Sequence, residues 1–380
     1  MNVRKVRDDS GYPPGSAFPI QSSVLGNPKS LNTISPNPLI PIHKSRSQSY
    51  QSKKKMPAII SVIGSLNVDL VTRTARVPVG GETLTSESFA IGWGGKGANQ
   101  AVACARLSRT QAQAQASSSS SSSSPSSPAS AVQVRMVGAV GADEFHAQFL
   151  QALEADGVNT AGVRVLPGKK TGVAVILVET GTGENRILVS PGANGHVDAG
   201  ADLVDRDASV ALFQLELPLQ VVLGNMKSAR QKGVVTVLNP APAVVLPVEA
   251  YEGLHHLIVN ETEAVALSGG ERPAGGWDEV AAIFIERGVK NVIITLGGEA
   301  ASQKGCVVPA RKVKVVDTTA AGDTFAGAYT VAVARWKSME KEAEFDLDAA
   351  IAYANRAASV TVQREGAQSS IPWADEVPGA

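Results

Sequence analysis

Val315-Val316-Asp317-Thr318-Thr319-Ala320-Ala321-Gly322-Asp323-Thr324-Phe325 is the stretch on which the fold turns. β-Branched residues run into small ones, and apolar residues then recur at helical spacing through Phe325, Ala328, Tyr329, Ala332, Val333 and Trp336. This pattern predicts a strand, a tight turn and a buried helix. The small residues would leave the amides of the helix's first turn uncovered, making an anion hole with the helix dipole behind it. Asp323 stands at that helix start, where a carboxylate can accept a hydroxyl proton. Asp is equally favoured there as an N-cap, and the residues alone leave the two readings open.

The same alternation extends outward in both directions. Ile59 to Ile63, Val210 to Leu215, Val234 to Leu238, Leu257 to Val259 and Val292 to Thr295 are short apolar runs suited to strands buried on both faces. Between them lie amphipathic stretches, with Phe145, Phe149, Leu150 and Leu153 on one helical face and Val280, Ile283 and Phe284 on another. The expectation is an α/β fold of three layers, a mostly parallel central sheet with helices on both faces. One region breaks the rhythm. Glu82 to Gly92, Thr171 to Glu179 and Asn185 to Ser190 are β-rich without intervening helices, and Gly181 and Gly183 would turn a hairpin between the last two. They predict a small antiparallel flap, within about residues 73–93 and 171–190.

Two segments fall outside this pattern. Residues 1–55 are rich in Ser, Pro and Asn and collect bases such as Arg4, Lys5, Arg7, Lys53, Lys54 and Lys55, which predicts a disordered basic tail ahead of a domain spanning 56–380. Asp8, Asp9 and the prolines argue against a mitochondrial presequence. About residues 108–130 are dominated by the serine run Ser117 to Ser124, which reads as a solvated insertion between the helix-like Ala98 to Leu107 and the strand-like Val132 to Val137. Length alone allows two domains in 380 residues; with both segments removed, one domain with a flap remains.

Composition excludes several function classes. The 35 basic residues balance 35 acidic ones, so the chain lacks the broad positive footprint of a nucleic-acid or anionic-membrane binder. A hydrophobic content of 43% supports a real core, and no apolar run is long enough for a membrane-spanning helix. Two cysteines, Cys104 and Cys306, make no disulfide framework, which points to a reducing cytoplasmic setting, with the nucleus as a second location.

Three further clusters carry polar groups where ligands bind in open α/β sheets, beyond the carboxyl ends of strands. Gly92, Gly94 and Gly97 satisfy the dinucleotide spacing G-x-G-x-x-G, but the preceding segment is polar-alternating and no acidic residue follows at the ribose-binding distance. Gly95-Lys96 is followed by glycine, so a P-loop fails as well. What survives is a glycine-rich backbone able to approach a polar ligand, with a helix from Ala98 aiming its amides there. Ser65-Leu66-Asn67-Val68-Asp69 follows the first strand, where Asn67 and Asp69 either hold a ligand or cap a turn. Asn260-Glu261-Thr262-Glu263 ends another strand, and both a metal-linked carboxylate and simple capping fit it.

Together these pieces resemble the ribokinase (PfkB) family of carbohydrate kinases. Gly64-Ser65-Leu66-Asn67-Val68-Asp69 with Gly94-Gly95-Lys96-Gly97-Ala98-Asn99-Gln100-Ala101 is similar to the family's amino-terminal signature, and Asp317 to Phe325 to its carboxyl-terminal one. Asn260 to Glu263 resembles the N-x-x-E motif and Thr295-Leu296-Gly297 the nucleotide-side turn. The resemblance runs from about Ile59 to Pro372 and implies phosphoryl transfer from ATP to the primary hydroxyl of a pentose, giving ribose 5-phosphate and ADP. It also implies a ribokinase-like sandwich whose flap is a lid, commonly one that pairs two subunits into a homodimer.

By matching positions, Asp323 would be the base, with Ala320, Ala321 and Gly322 completing the anion hole. Asn67, Asp69, Gly95, Lys96, Gly97, Ala98, Asn99 and Glu216 would hold D-ribose. Asn260, Glu263, Thr295, Leu296, Gly297, Gly298, Gly322 and Asn355 would face ATP, Glu263 organising Mg2+. The family's K+ would lie at Asp317, Thr319, Thr361, Arg364, Gly366 and Ser370. Three positions depart from the family pattern: His146 and Ala300 stand where glycine is common, and Ala326 where asparagine is. None removes a group the chemistry needs. The alternatives are a kinase of another sugar such as fructose or deoxyribose, a non-catalytic sugar sensor, and a nicotinamide-dependent dehydrogenase resting on the glycine spacing alone.

Overall fold

The computed structural model describes residues 3–7, 57–119, 132–271, 275–297, 307–339 and 344–379. In chain order the elements are β1 (Val3–Arg7), β2 (Ile59–Ile63), β3 (Asn67–Thr74), β4 (Ser88–Gly94), α1 (Lys96–Leu107), α2 (Gln111–Ser119), β5 (Gln133–Gly141), α3 (His146–Ala155), β6 (Val158–Leu166), β7 (Gly172–Glu179) and β8 (Asn185–Ser190). There follow β9 (Val210–Phe213), α4 (Leu219–Gln231), β10 (Val235–Leu238), β11 (His256–Asn260), α5 (Glu261–Ser268), α6 (Trp277–Glu286), β12 (Asn291–Thr295), β13 (Val307–Val308), α7 (Ala321–Lys337) and α8 (Leu347–Thr361).

Seven strands, in the order β12-β11-β10-β9-β2-β5-β6, form the parallel body of the central sheet. Their side chains alternate between two cores, as the two-residue period of a strand requires. Ile60, Val62, Leu212, Val237 and Ile293 face α1, α7 and α8 through Val102, Phe325, Tyr329 and Ile351. Ile63, Phe213, Leu238, Leu257 and Ile294 face the other way, onto Val222, Ala264 and Phe284 of α4, α5 and α6. Burial on both faces is why these strands read as unbroken apolar runs. The expected three-layer sandwich is present, and no described helix is long and apolar enough to cross a membrane.

The flap is a separate four-stranded sheet in the order β4-β3-β7-β8. Two expectations about it need correcting. It is mixed rather than antiparallel, because β3 and β7 run parallel, and it begins at Asn67 rather than near residue 73. The predicted hairpin is there, closed by Gly183 N–H to Glu179 O at 2.7 Å, with Gly183 at φ 73°.

The edge of the main sheet brings two further corrections. Of the expected tail, Val3–Arg7 is described, and there it is a strand, antiparallel to both β12 and β13. Val315 and Val316, expected as a strand, form none. Both are exposed, and the amides of Val316 and Asp317 donate to Val362 O at the end of α8. Of the serine-rich insertion, residues 120–131 lie outside the described residues.

Candidate active site

Ser65, Asn67 and Asp69 follow β2, Glu216 follows β9, Asn260 ends β11 and Glu263 follows it, and Thr295 ends β12, so the polar groups gather at the carboxyl ends of the parallel strands. Two helices point into the same region. The start of α7 is set by Ala320, at φ 58° the sole non-glycine residue with positive φ among the described residues. Such left-handed geometry costs energy and concentrates at functional positions. The first intrahelical bond is Thr324 N–H to Ala320 O at 2.8 Å, so Gly322 and Asp323 present their amides ahead of it.

The Asp323 carboxylate is buried and gripped on both oxygens. Asn99 Nδ2 donates to Oδ2 at 3.0 Å and Gln100 Nε2 to Oδ1 at 2.9 Å. Asn99 Oδ1 is itself buried without a hydrogen-bond partner. Sequence reasoning listed Asn99 but missed Gln100, whose role depends on a partner more than two hundred positions away.

At α1 the expectation of amides aimed at a ligand is corrected. The helix begins at Lys96, and Lys96 N–H donates to Glu216 Oε2 at 2.9 Å, Gly97 N–H to Ser65 Oγ at 3.3 Å and Ala98 N–H to Ser65 O at 2.9 Å. Glu216 also accepts the Ser65 hydroxyl at 2.5 Å, so a carboxylate caps a helix whose N-cap, Gly95, has no side chain. The glycines serve close approach instead. A Cβ at Gly97 would sit 2.5 Å from the Gly64 and Ser65 backbone, and one at Gly94 would overlap the Asp69 carboxyl.

Asn67 and Asp69 sit together on β3. Asn67 Oδ1 accepts Asn194 Nδ2 at 2.8 Å, while Leu66 N–H donates to Asn194 Oδ1 at 3.0 Å. The buried Asn194 is another residue that sequence reasoning missed. Burial, then the charges of Glu216 and Asp323, push the Asp69 carboxyl up to about 7. Burial opposes the charge on Lys96, but Asp323, Glu216 and Glu263 together outweigh it and hold the ammonium above its ordinary value. A cavity of about 860 Å³ opens between flap and body, with Asp69, Val71 and Ile176 on one side and Asp317 and Thr319 on the other.

Around Asn260 the capping reading describes the geometry. Its side chain accepts Glu263 N–H at 2.8 Å, and Glu263 Oε2 accepts Asn260 N–H at 2.9 Å, a reciprocal capping box. Burial nonetheless raises the Glu263 carboxyl, against the pull of the Asn260 amide and Lys96. Thr295 is buried, Gly297 has φ 51°, and Asn355 Nδ2 donates to Val308 O at 3.2 Å while its Oδ1 is unpartnered. Gly298 and Ala300 lie outside the described residues.

Asp317 and the carboxyl-terminal segment also meet. Asp317 Oδ1 accepts the Thr319 amide and hydroxyl at 2.9 and 2.6 Å, and Oδ2 accepts Gly366 N–H at 3.0 Å. Burial opposes ionisation of Asp317, but these donors and the Arg73 charge hold its carboxyl below the usual range. The Thr361 hydroxyl pairs with Thr324 at 2.9 Å and Ser370 donates to Ala367 O at 2.7 Å, whereas the Arg364 guanidinium turns away to Glu376. Arg106, paired with Asp156, ties the segment down through Gln368 O and Ile371 O at 2.7 and 2.9 Å.

A family model for pfkB family carbohydrate kinase matches residues 58–374. The chain belongs to the pfkB carbohydrate kinases. This pfkB chain is 42% identical over 336 residues to a ribokinase of Schizosaccharomyces pombe, an alignment covering 84% of the chain and 97% of that relative. Among solved structures it resembles a ribokinase of Thermotoga maritima with TM-score 0.68 and 32% identity, covering 84% of this chain and 98% of that one. It also resembles an Arabidopsis thaliana ribokinase complexed with ribose and ATP, with TM-score 0.67 and 28% identity, covering 84% and 97%. His146, one of the departures, is spent locally, with Nδ1 2.6 Å from Asp143 O, and Ala326 is buried in the α1–α7 core.

Proposed function

We propose that the protein is an ATP-dependent ribokinase that phosphorylates the 5-hydroxyl of D-ribose. The observation that carries the reading is the buried Asp323 carboxylate, held by Asn99 and Gln100 at the open amide end of α7. Asp323 accepts the proton of the attacking hydroxyl, whose oxygen bonds to the γ-phosphorus of ATP as the bond to ADP breaks. The first-turn amides of α7, from Ala320 to Asp323, meet the charge that develops on the transferring group. Asn67, Asp69, Lys96, Asn99 and Glu216 hold the sugar; Gly95, Gly97 and Ala98 shape the backbone beside it. The buried unpartnered Asn99 Oδ1 supplies an acceptor suited to a hydroxyl.

ATP lies beside Asn260, Thr295, Leu296, Gly297 and Asn355, whose free buried Oδ1 is an acceptor for a nucleotide donor. Glu263 would hold Mg2+ through its carboxylate, as an ion that takes one or two carboxylates and otherwise phosphate oxygens requires. Asp317, Thr319, Thr361, Gly366 and Ser370 would supply oxygen donors to K+ through side chains and backbone carbonyls. When bound, these ions neutralise phosphate charge and add positive potential beside the anion hole.

A homodimer through the lid fits its exposed apolar row, in which Ile91, Leu70, Val175 and Leu188 lie in register and Ile91 and Leu188 are 54% and 71% exposed.

The test is ADP production on ribose, fructose and 2-deoxyribose, with and without potassium. Ribose should turn over fastest, and faster turnover on fructose overturns the assignment. Asp323→Asn should lower kcat by roughly 100-fold or more while ribose still binds.

A further inference from the structure

We infer that Gln100 is a positioning residue for Asp323, and that Asn239 sets the direction in which its amide points. The inference rests on the reading of Asp323 as the base. Gln100 is fully buried on α1, and every polar atom of its side chain is engaged. Nε2 donates to Asp323 Oδ1 at 2.9 Å and to Asn239 Oδ1 at 2.9 Å, while Oε1 accepts Gln214 Nε2 at 2.7 Å. Asn239 is anchored in turn by Nδ2, which donates to Ile258 O at 2.9 Å.

The result is a directed ladder of three amides, from the ends of β9 and β10 to the carboxylate. Its direction is fixed by the pairing. Were the Gln100 amide turned over, its oxygen would face two oxygens, Asp323 Oδ1 and Asn239 Oδ1, whereas Gln214, whose Oε1 is buried without a partner, could turn with it. Buried like-polarity contacts of that kind leave donors and acceptors unpaired. Gly64 makes room for the ladder, since a Cβ there would lie 2.1 Å from Gln214 Oε1.

Gln100 has no polar atom left for the substrate and acts through Asp323 alone. With Gln100 on Oδ1 and Asn99 on Oδ2, the plane of the carboxylate is fixed and its remaining lone pairs are aimed. Misplacing a reacting group by about an ångström can cost on the order of 100-fold in rate. Gln100 and Asn239 therefore belong to the machinery of the reaction without touching the sugar.

Three variants test this. Gln100→Met keeps the shape but removes the donor, and should lower kcat by roughly 10- to 100-fold with the ribose KM within about threefold of the parent. Asn239→Leu removes the anchored acceptor that holds the Gln100 amide and should lower kcat in the same way, although Asn239 makes no bond to Asp323. Gln214→Met should lower kcat less than either, because Gln214 is held by Gln100 alone. Ribose binding by calorimetry, on protein checked for folding by circular dichroism, separates lost positioning from lost structure. An undiminished kcat in Gln100→Met, or a loss matched by ribose affinity or by the folded fraction, overturns the inference. If Asn239→Leu does not fold, Gln100→Met decides. Asp323→Asn serves as the control: if it is inactive and Gln100→Met fully active, the ladder alone fails, whereas an active Asp323→Asn removes the base itself.

Discussion

Asp69→Asn should make the protein more stable while weakening its grip on sugar, and the gain should depend on pH. Asp69 is 9% exposed, and burial together with Glu216 and Asp323 moves its carboxyl from 3.8 to about 7. That displacement corresponds to about 4 kcal/mol favouring the protonated form in the fold. Between those two values the native chain holds a proton that the unfolded chain has released, so stability falls as pH rises through the window and levels off above about 7. Asparagine carries no such penalty. The variant should match the parent near pH 4, exceed it increasingly through pH 5 and 6, and lead by up to about 4 kcal/mol at pH 8. Urea unfolding of both proteins across that range measures the difference as a change in midpoint at constant slope. A difference that stays flat from pH 4 to 8 would refute the account of Asp69 as a carboxylate strained by its neighbours.

Gly97→Ala should destabilise the fold by about 1–3 kcal/mol and raise the ribose KM, because its Cβ would meet backbone of Gly64 and Ser65 that cannot rotate away; an unchanged melting temperature and KM would count against it. Asn260→Ala should cost about 1 kcal/mol through loss of the capping box and weaken ATP more than ribose, which paired KM measurements would show. Leu188→Lys combined with Ile91→Lys should shift the protein toward monomer in light scattering if the lid row joins two copies.

Much of the body was legible in the sequence for one physical reason. Strands buried on both faces and helices with one apolar stripe write their environment into local periodicity, as β9 and α6 do. β6 escaped because Val158–Leu166 sits at the sheet edge with mixed burial and has no apolar run. β1 escaped because its partners, β12 and β13, lie some three hundred positions away. Val315 and Val316 misled in the opposite sense, since β-branched residues imply a strand only where a neighbouring strand is available.

The same distinction runs through the site. Asp323, Asn99 and Asp69 were visible as motif members, whereas Gln100, Gln214, Asn239 and Asn194 are amides whose purpose exists only in their cross-chain partners. The glycines at the start of α1 were noticed as room for a polar ligand, and the structure shows that Gly94 and Gly97 also make room for Gly64, Ser65 and Asp69.

The parallel pairing of β3 with β7 also constrains how the chain acquires its lid. β3 and β4 are neighbours in sequence, but β7 arrives only after α1, β5, α3 and β6 have been laid down, and β3 pairs with it residue by residue from Asn67 to Thr74. Such long-range pairing waits on loop closure and is slow compared with local contacts. A chain growing from its amino end therefore carries Asn67 and Asp69 on a two-stranded ribbon until Glu179 has emerged, and β3 is among the last strands to be locked in place. The serine-rich segment lies within that closing loop, yet each doubling of loop length adds only about 0.6 kcal/mol, so so long an insertion delays lid assembly little.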